Sequence, residues 1–316
     1  MFYISFYALC SRSRSATLNT DIVGDNDEDG KDSILVIVSI ICSSLRYLSF
    51  PVSKLRAMDM LLALGAILPD RYKLDRVLPY LSCLFSDANA VVRAAALRTT
   101  TQLVQLVSTV AIADTNLFSE YLLPMFAKFS EDTDVVVSIM YARCIGALAV
   151  YVATFLEIMF LTCFGRTAVR YIEHVDTVRS ERRANGTISE TDIEAELFSF
   201  EAERDILQTL IGEEVSKLSA HSDPNVSRAL FSGLVSLCRF FGQQHVYMIQ
   251  QLLATHMNSL DWQLRCAFFE STVNVVNYVG HSSFDHFMRP FLMDGLGDEE
   301  QYVVAKVRFF LCLFAR

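Results

Sequence analysis

Apolar residues return every three or four positions along most of this chain, and short polar turns interrupt them at intervals. That period lines up one face of an α-helix, whereas a strand would alternate every second residue. A first helix is expected over 34–48, ended by Phe50-Pro51. A second is expected over 53–68, with Leu55, Met58, Leu61, Leu62 and Gly65 on one face. The third, 74–85, leads through Ser86-Asp87 into a fourth that carries Val91, Ala94, Ala95, Leu97, Leu103, Val104 and Leu106. A helix over 117–129 and the turn Glu131-Asp132-Thr133-Asp134 precede a longer one. That helix begins at Val135 and carries Ala142, Ile145, Leu148, Ala149 and Val152. After a polar interval the alternation resumes over 206–219, 226–241, 246–260, 262–279, 284–296 and 302–314.

Within this alternation one pattern occurs three times. A proline stands eight residues before an aspartate at Pro79/Asp87, Pro124/Asp132 and Pro290/Asp298, and an apolar helical segment follows each. The first two copies lie 45 residues apart, in the range of paired-helix repeats of the HEAT or armadillo kind. Proline inside a helix removes one backbone hydrogen bond and bends the axis, so Pro79, Pro124 and Pro290 are expected to curve the first helix of each pair. An aspartate at a helix start accepts the free N–H groups of the first turn, so Asp87, Asp132 and Asp298 are expected to cap the second helices. Asp223, followed by Pro224, and Asp261 are expected to cap two further second helices without the upstream proline. The fold class that follows is all-α, a HEAT/armadillo-like helical solenoid.

Three stretches depart from the repeat. Residues 1–32 open with an apolar decapeptide, whose basic residues follow the run where a signal peptide would place them before it; six acids against one lysine come next, over 21–32. A poorly ordered leader is expected there. The window 145–164 is long and apolar enough to suggest a membrane span. Glu157 inside it would be costly in lipid, and a long buried helix is the expected form. Residues 165–205 run from arginine-rich to acidic around Asn185-Gly186 and read as a charged helical excursion or loop. The chain thus divides into a leader (1–32), a first set of repeats (33–164), the excursion (165–205) and a second set (206–316). It ends on an apolar helix without a polar outer face and reads as part of something longer.

Charge and candidate chemistry narrow the function classes. The net charge is -9 and no basic stripe is present, which argues against nucleic acid as a partner. Eight scattered cysteines without a CxxC pair, seven of them in apolar runs, are expected to be reduced core thiols. The chain has no phosphate-binding glycine loop, no His-Arg-Asp or Asp-Phe-Gly kinase motif and no HExxH. His281 and His286, five apart, do not share a helical face and do not suggest a metal. No catalytic residue, cofactor or metal site is expected, and stacked helix pairs of this kind serve as binding surfaces.

The residues between the repeats say more. In order, they are Asp223-Pro224-Asn225-Val226, Leu237-Cys238-Arg239-Phe240-Phe241-Gly242, Tyr278-Val279-Gly280 and Gly295-Leu296-Gly297-Asp298-Glu299-Glu300. Between the second and third of these lies the most specific run, Asp261-Trp262-Gln263-Leu264-Arg265-Cys266-Ala267-Phe268-Phe269-Glu270, marked by Asp261, Trp262, Leu264, Arg265, Ala267, Phe268 and Phe269. With Leu74 to Leu81, Val92 to Thr99 and Glu120 to Pro124, this series resembles the helical-repeat region of the regulatory subunit of the class III phosphatidylinositol 3-kinase. The resemblance covers about 33–164 and 206–314. It implies a non-catalytic scaffold whose partners are the lipid kinase catalytic subunit and a Beclin-type subunit. It also implies a role in autophagy and endosomal or vacuolar sorting, with cytoplasmic residence and peripheral attachment to endosomal and autophagic membranes. The family's kinase-like domain and propeller have no counterpart in these 316 residues, so kinase activity does not carry over. A generic peptide- or cargo-binding HEAT or armadillo solenoid is the alternative, and it leaves the run from Trp262 to Glu270 unexplained.

Overall fold

In the computed structural model, residues 28–109, 116–164, 190–242, 254, 256–257, 259–279 and 281–314 are described. All regular structure among them is helical. The helices are α1 (Glu28–Leu45), α2 (Pro51–Gly65), α3 (Asp70–Tyr72), α4 (Leu78–Cys83), α5 (Ala90–Gln105), α6 (Leu123–Phe126) and α7 (Val135–Phe164). They continue as α8 (Glu190–Ser219), α9 (Pro224–Phe231), α10 (Leu234–Phe241), α11 (Trp262–Val279), α12 (His281–Leu296) and α13 (Gln301–Phe314).

The order of packing is that of a solenoid. The second helices of successive pairs lie against one another, α2 on α5, α5 on α7, α7 on α9 and α10, these on α11, and α11 on α13. The first helices touch each other much less. Each second helix therefore divides its buried residues between two neighbours. In α5, Val92, Ala96 and Leu103 join the core shared with α1 and α2, while Ala94, Leu97 and Val104 join the larger core that runs on to α13. Both sets follow helical spacing on different sides of one cylinder.

The prolines act with a second device. Ahead of Pro79 the helix widens to a π-helical segment, Lys73–Val77, and ahead of Pro124 to another, Leu117–Leu122. Their closing bonds run from Leu78 N–H to the Lys73 carbonyl and from Leu123 N–H to the Phe118 carbonyl. A wider turn carries the backbone past a ring that would otherwise collide with a carbonyl four residues back. Pro290 instead lies inside α12.

Polar ties fix the far ends of the second helices. Buried Lys73 donates to the Leu106 carbonyl (2.7 Å) and to Asp70 Oδ1 (2.6 Å). Asp70 Oδ2 accepts from the backbone and side chains of Ser108 and Thr109, and the Tyr151 hydroxyl donates to the Val107 carbonyl (3.0 Å). Orphan carbonyls at the end of α5 are thus met by side chains from the helices on either side.

α7 is the centre of the stack. Val135–Leu156 is long and apolar enough to cross a membrane, and 61% of the most apolar window lies inside the fold. It packs on α5, α8, α9 and α10; its Tyr151 and Phe155 meet the Phe118 ring, and its Tyr141 meets the rings of Phe126 and Phe129. The expected long buried helix accounts for this packing. At its middle, Gly146 meets Gly233, where the fourth second helix breaks between α9 and α10. A Cβ on Gly146 would stand 2.7 Å from the Gly233 Cα and from its carbonyl oxygen. Here the two backbones touch directly, which any side chain would prevent.

Several expected boundaries move. Helix α1 begins at Glu28, inside the expected leader, and the remainder of 1–27 lies outside the described residues. Residues 190–205 are the first half of α8. Their acids suit a helix N-terminus, and Ile193, Leu197, Phe200 and Leu207 keep helical spacing into the expected 206–219 segment. The excursion's other residues, 165–189, and most of 246–260 lie outside the described residues. The expected 226–241 helix is two, because Ser232 and Gly233 form a turn at the close contact with α7.

Candidate partner-binding surface

The turns that open the second helices carry a two-residue register. In the third-to-fourth-helix turn the N-cap is Asn89, whose side chain accepts from Val91 N–H (2.9 Å). Asp87, two residues earlier, accepts from Asn89 N–H (2.9 Å) and lies outside the helix. The next turn repeats this with Asp134 accepting from Val136 N–H (3.0 Å) and Asp132 accepting from Asp134 N–H (2.9 Å). In the last turn Asp298 accepts from Glu300 N–H (2.9 Å), just ahead of α13.

The expected capping role of Asp87, Asp132 and Asp298 is thereby corrected. They brace the turn two residues ahead of the cap, since an N-cap must accept from the second or third helical N–H. Asp223 and Asp261 do stand at the cap, accepting from Asn225 N–H (2.8 Å) and Gln263 N–H (2.9 Å). Their turns place His221 and Ser259 at the bracing position. His221 Nδ1 accepts from Asp223 N–H (3.0 Å), and Ser259 Oγ accepts from Asp261 N–H (3.2 Å).

The bracing aspartates hold a second partner from the preceding repeat. Lys54, four residues after Phe50 at the start of α2, pairs with Asp87. Arg93, four after Asn89, grips Asp132 through Nε (2.9 Å) and Nη2 (2.5 Å) and donates through Nη1 to the Asp87 carbonyl (2.9 Å). Arg265, four after Asp261, holds Asp298 (2.7 and 2.9 Å) and donates to the Ser259 carbonyl (2.7 Å). At the intervening steps the same position is Ser138 and Ser227, both buried. They turn back to the carbonyls of Phe129 and Ser219. The next repeats then offer His221 and Ser259 in place of an acid. Basic residue and acid are present together or absent together.

Charge follows from these contacts. Burial works against ionised Asp87 and Asp132, but the basic partners and turn N–H groups outweigh it and hold both carboxyls below the usual range. For Asp298 the Arg265 guanidinium is the main cause of the same shift. Bidentate arginine–carboxylate pairs of this geometry are specific as well as strong.

The run from Asp261 to Phe269 is a joint between repeats. Trp262 stacks on Tyr302 of α13 (5.4 Å between ring centres, 25° between planes), and Arg265 reaches Asp298. Leu264, Phe268 and Phe269 are buried, Ala267 packs on their core, and Phe268 meets Phe291 of α12. Gly295 of α12 closes the joint, because a Cβ there would stand 2.7 Å from the Phe269 ring and 2.8 Å from Val307. The sequence singled out these residues as a family-like motif. It did not reveal their partners, and it missed Lys54, Arg93, Asn89 and Asp134. A basic residue four positions past Phe50, Asn89 and Asp261 was the available signal.

The described residues contain no group of three His, Cys, Asp or Glu able to hold a metal. Burial pushes the Cys42 and Cys144 thiols up to about 11 and that of Cys238 to about 12, so these thiols stay protonated. Cys83 and Cys312, expected in the core, are exposed. Buried His256 bonds Ser219 (2.9 Å), and its ring packs edge-on against Phe231. What the described residues offer is side-chain surface on a frame of packed helices.

Comparison with known proteins accords with this. Residues 37–316 match the family described as PIK3R4-like, middle domain. A probable serine/threonine-protein kinase vps15 of Dictyostelium discoideum is 29% identical over 276 residues, which is 86% of this chain and 13% of that protein. Serine/threonine-protein kinase VPS15 of Arabidopsis thaliana is 31% identical over 83% of this chain and 17% of its own length. The vps15 kinase of Schizosaccharomyces pombe is 32% identical over 69% of this chain and 12% of its own. The chain therefore spans less than a fifth of these curated relatives. A repeat frame, its joints and a match over nearly the whole described length agree, and the chain belongs to the PIK3R4-like (Vps15) family, over that family's middle domain.

Proposed function

We propose that this chain is a non-catalytic helical scaffold of the class III phosphatidylinositol 3-kinase complex, ordering partners for autophagy and for endosomal and vacuolar sorting. The observation that carries this reading is the family match over 37–316, and an all-helical repeat fold supports it. The kinase names of the relatives describe proteins five or more times longer than the matched segment. Their activity is not assigned to this stretch. The partners in this reading are the lipid kinase catalytic subunit and a Beclin-type subunit. The location is cytoplasmic, with membrane attachment peripheral and made through the complex.

The test is affinity purification of the full-length protein that contains this region, with and without residues 33–314. Recovery of the lipid kinase catalytic subunit is expected with the intact protein and is lost on deletion. An unchanged complex after deletion would sink the scaffold reading. Carbonate extraction provides the companion measurement for location: peripheral attachment releases the protein, and retention in the membrane pellet contradicts it.

A further inference from the structure

The second-helix row exposes a surface that the repeat packing does not use. At the second residue of α2, α5 and α7 stand Val52, Val91 and Val136, at 59%, 53% and 50% exposure. Each lies in the first turn of its helix, so the three form a row across successive repeats. In α9 and α11 the corresponding residues are polar, Asn225 and Gln263. Isolated exposed valines are ordinary, but three in one register on adjacent packed helices make a continuous apolar edge.

Two helical turns further along, the same register holds an arginine on α5 and on α7 and an acid, Asp59, on α2. Arg98 of α5 and Arg143 of α7 are both exposed. They hold the same register, nine residues past Asn89 and Asp134, on two helices that pack together. Arg98 meets Asp59 of α2 at 3.7 Å with both side chains half exposed or more, a separation and exposure at which a pair contributes little. Arg143 has no hydrogen-bond or ion-pair partner among the described residues. Arg56, exposed on α2, adds a third positive charge on the same helix row. An acidic chain thus carries here a local patch of the opposite sign beside an apolar edge.

From this we infer that the face formed by α2, α5 and α7 docks an acidic amphipathic helix of a protein partner. Apolar residues of that helix lie on the valine row and its acids face Arg98 and Arg143. Backbone satisfaction favours a helix over an extended strand, because the face offers side chains whose own backbones are already bonded within helices. Spacing agrees. Packed helices lie about 8–10 Å apart, and seven residues of α-helix rise about 10.5 Å, so residues at i, i+7 and i+14 meet successive valines. The inference rests on the scaffold reading and names the chemistry of one partner surface.

The experiment uses the full chain and a fluorescein-labelled helical peptide of about 21 residues, three heptads, with leucines on one stripe and glutamates flanking it. A second peptide replaces every glutamate by lysine. Fluorescence anisotropy is expected to show binding of the acidic peptide only. Arg98→Glu with Arg143→Glu is expected to weaken it about tenfold or more and to create binding of the lysine peptide, and Val91→Ser with Val136→Ser to weaken both. The swap in preference keeps the test decisive even where a variant loses some stability. Equal binding of both peptides, or binding indifferent to the four substitutions, overturns the inference. So does a tenfold gain in acidic-peptide affinity when Asp21, Asp25 and Asp27 become asparagine, because the chain's own acidic segment would then be the occupant. Loss of the kinase complex on deletion of 33–314 is read separately, so failure of the face and failure of the scaffold are distinguishable.

Discussion

Arg265→Met tests whether the bridges between repeats stabilise the stack or merely decorate it. Methionine keeps most of the apolar stem and removes three charge-assisted bonds, two to Asp298 (2.7 and 2.9 Å) and one to the Ser259 carbonyl (2.7 Å). The side chains of Arg265 and Asp298 are only 15% and 8% exposed, so the loss leaves a carboxylate with little water to replace its partner. Removing one member of a fully buried pair costs about 3–5 kcal/mol. Asp298 keeps the Glu300 N–H and some solvent, which brings the expectation to about 2–3 kcal/mol. Urea unfolding followed by far-UV circular dichroism, with amide exchange over α13, reads both the global and the local loss. The cycle with Asp298→Asn should return a coupling of about 1–3 kcal/mol.

The pH dependence supplies the stricter check. Asp298 is held below its ordinary value, chiefly by Arg265. A carboxyl lowered in the folded state stabilises fully above its unfolded value of about 3.9, and the contribution is lost as pH falls through the folded value. The gap between wild type and Arg265→Met should therefore be widest near neutrality and close progressively below about pH 4. A gap that stays constant down to about pH 3 would refute the assignment and make Arg265 a packing residue only.

Three further outcomes follow from the same contacts. Ser138→Arg alone should destabilise by burying a guanidinium, while Ser138→Arg with His221→Asp should recover about 1–3 kcal/mol by completing the interrupted bridge; additivity of the two in urea unfolding would contradict the register. Gly146→Ala should cost about 1–3 kcal/mol or more, because the added methyl meets the Gly233 backbone, which cannot rotate away; an unchanged urea midpoint would argue against the close contact. Iodoacetamide labelling with peptide mapping should modify Cys83 and Cys312 in the folded protein and spare Cys42, Cys144 and Cys238 until urea is added.

Helix content and the paired-helix frame were readable because each depends on local spacing. Met58 and Leu61 in α2, or Leu97 and Val104 in α5, declare their buried faces by period alone. The cap position was less readable. Aspartate two residues ahead of a helix and aspartate at its cap both look like a helix start, and only the bond from Asn89 to Val91 N–H separates them. The break at Gly233 depends on a backbone from another repeat, which no window of local sequence contains. For the Trp262 run, resemblance identified the family, while the reason for its specificity lay in Tyr302, Phe291, Gly295 and Asp298, about 22–40 residues away in sequence.

The interruption of the acid–base bridges falls at the two steps around α9 and α10. A bridge from arginine to aspartate fixes how one repeat sits on the next by direction and distance, which apolar contacts alone leave loose. Between α7 and the broken α9–α10 pair, the same job can be done by shape. Gly146 and Gly233 admit one close approach of two backbones. A long guanidinium at Ser138 would hold the helices further apart than that contact allows. The middle step thus trades polar registration for steric registration. The valine row spans α2, α5 and α7, so a partner docking there meets the repeats joined by the Lys54–Asp87 and Arg93–Asp132 pairs.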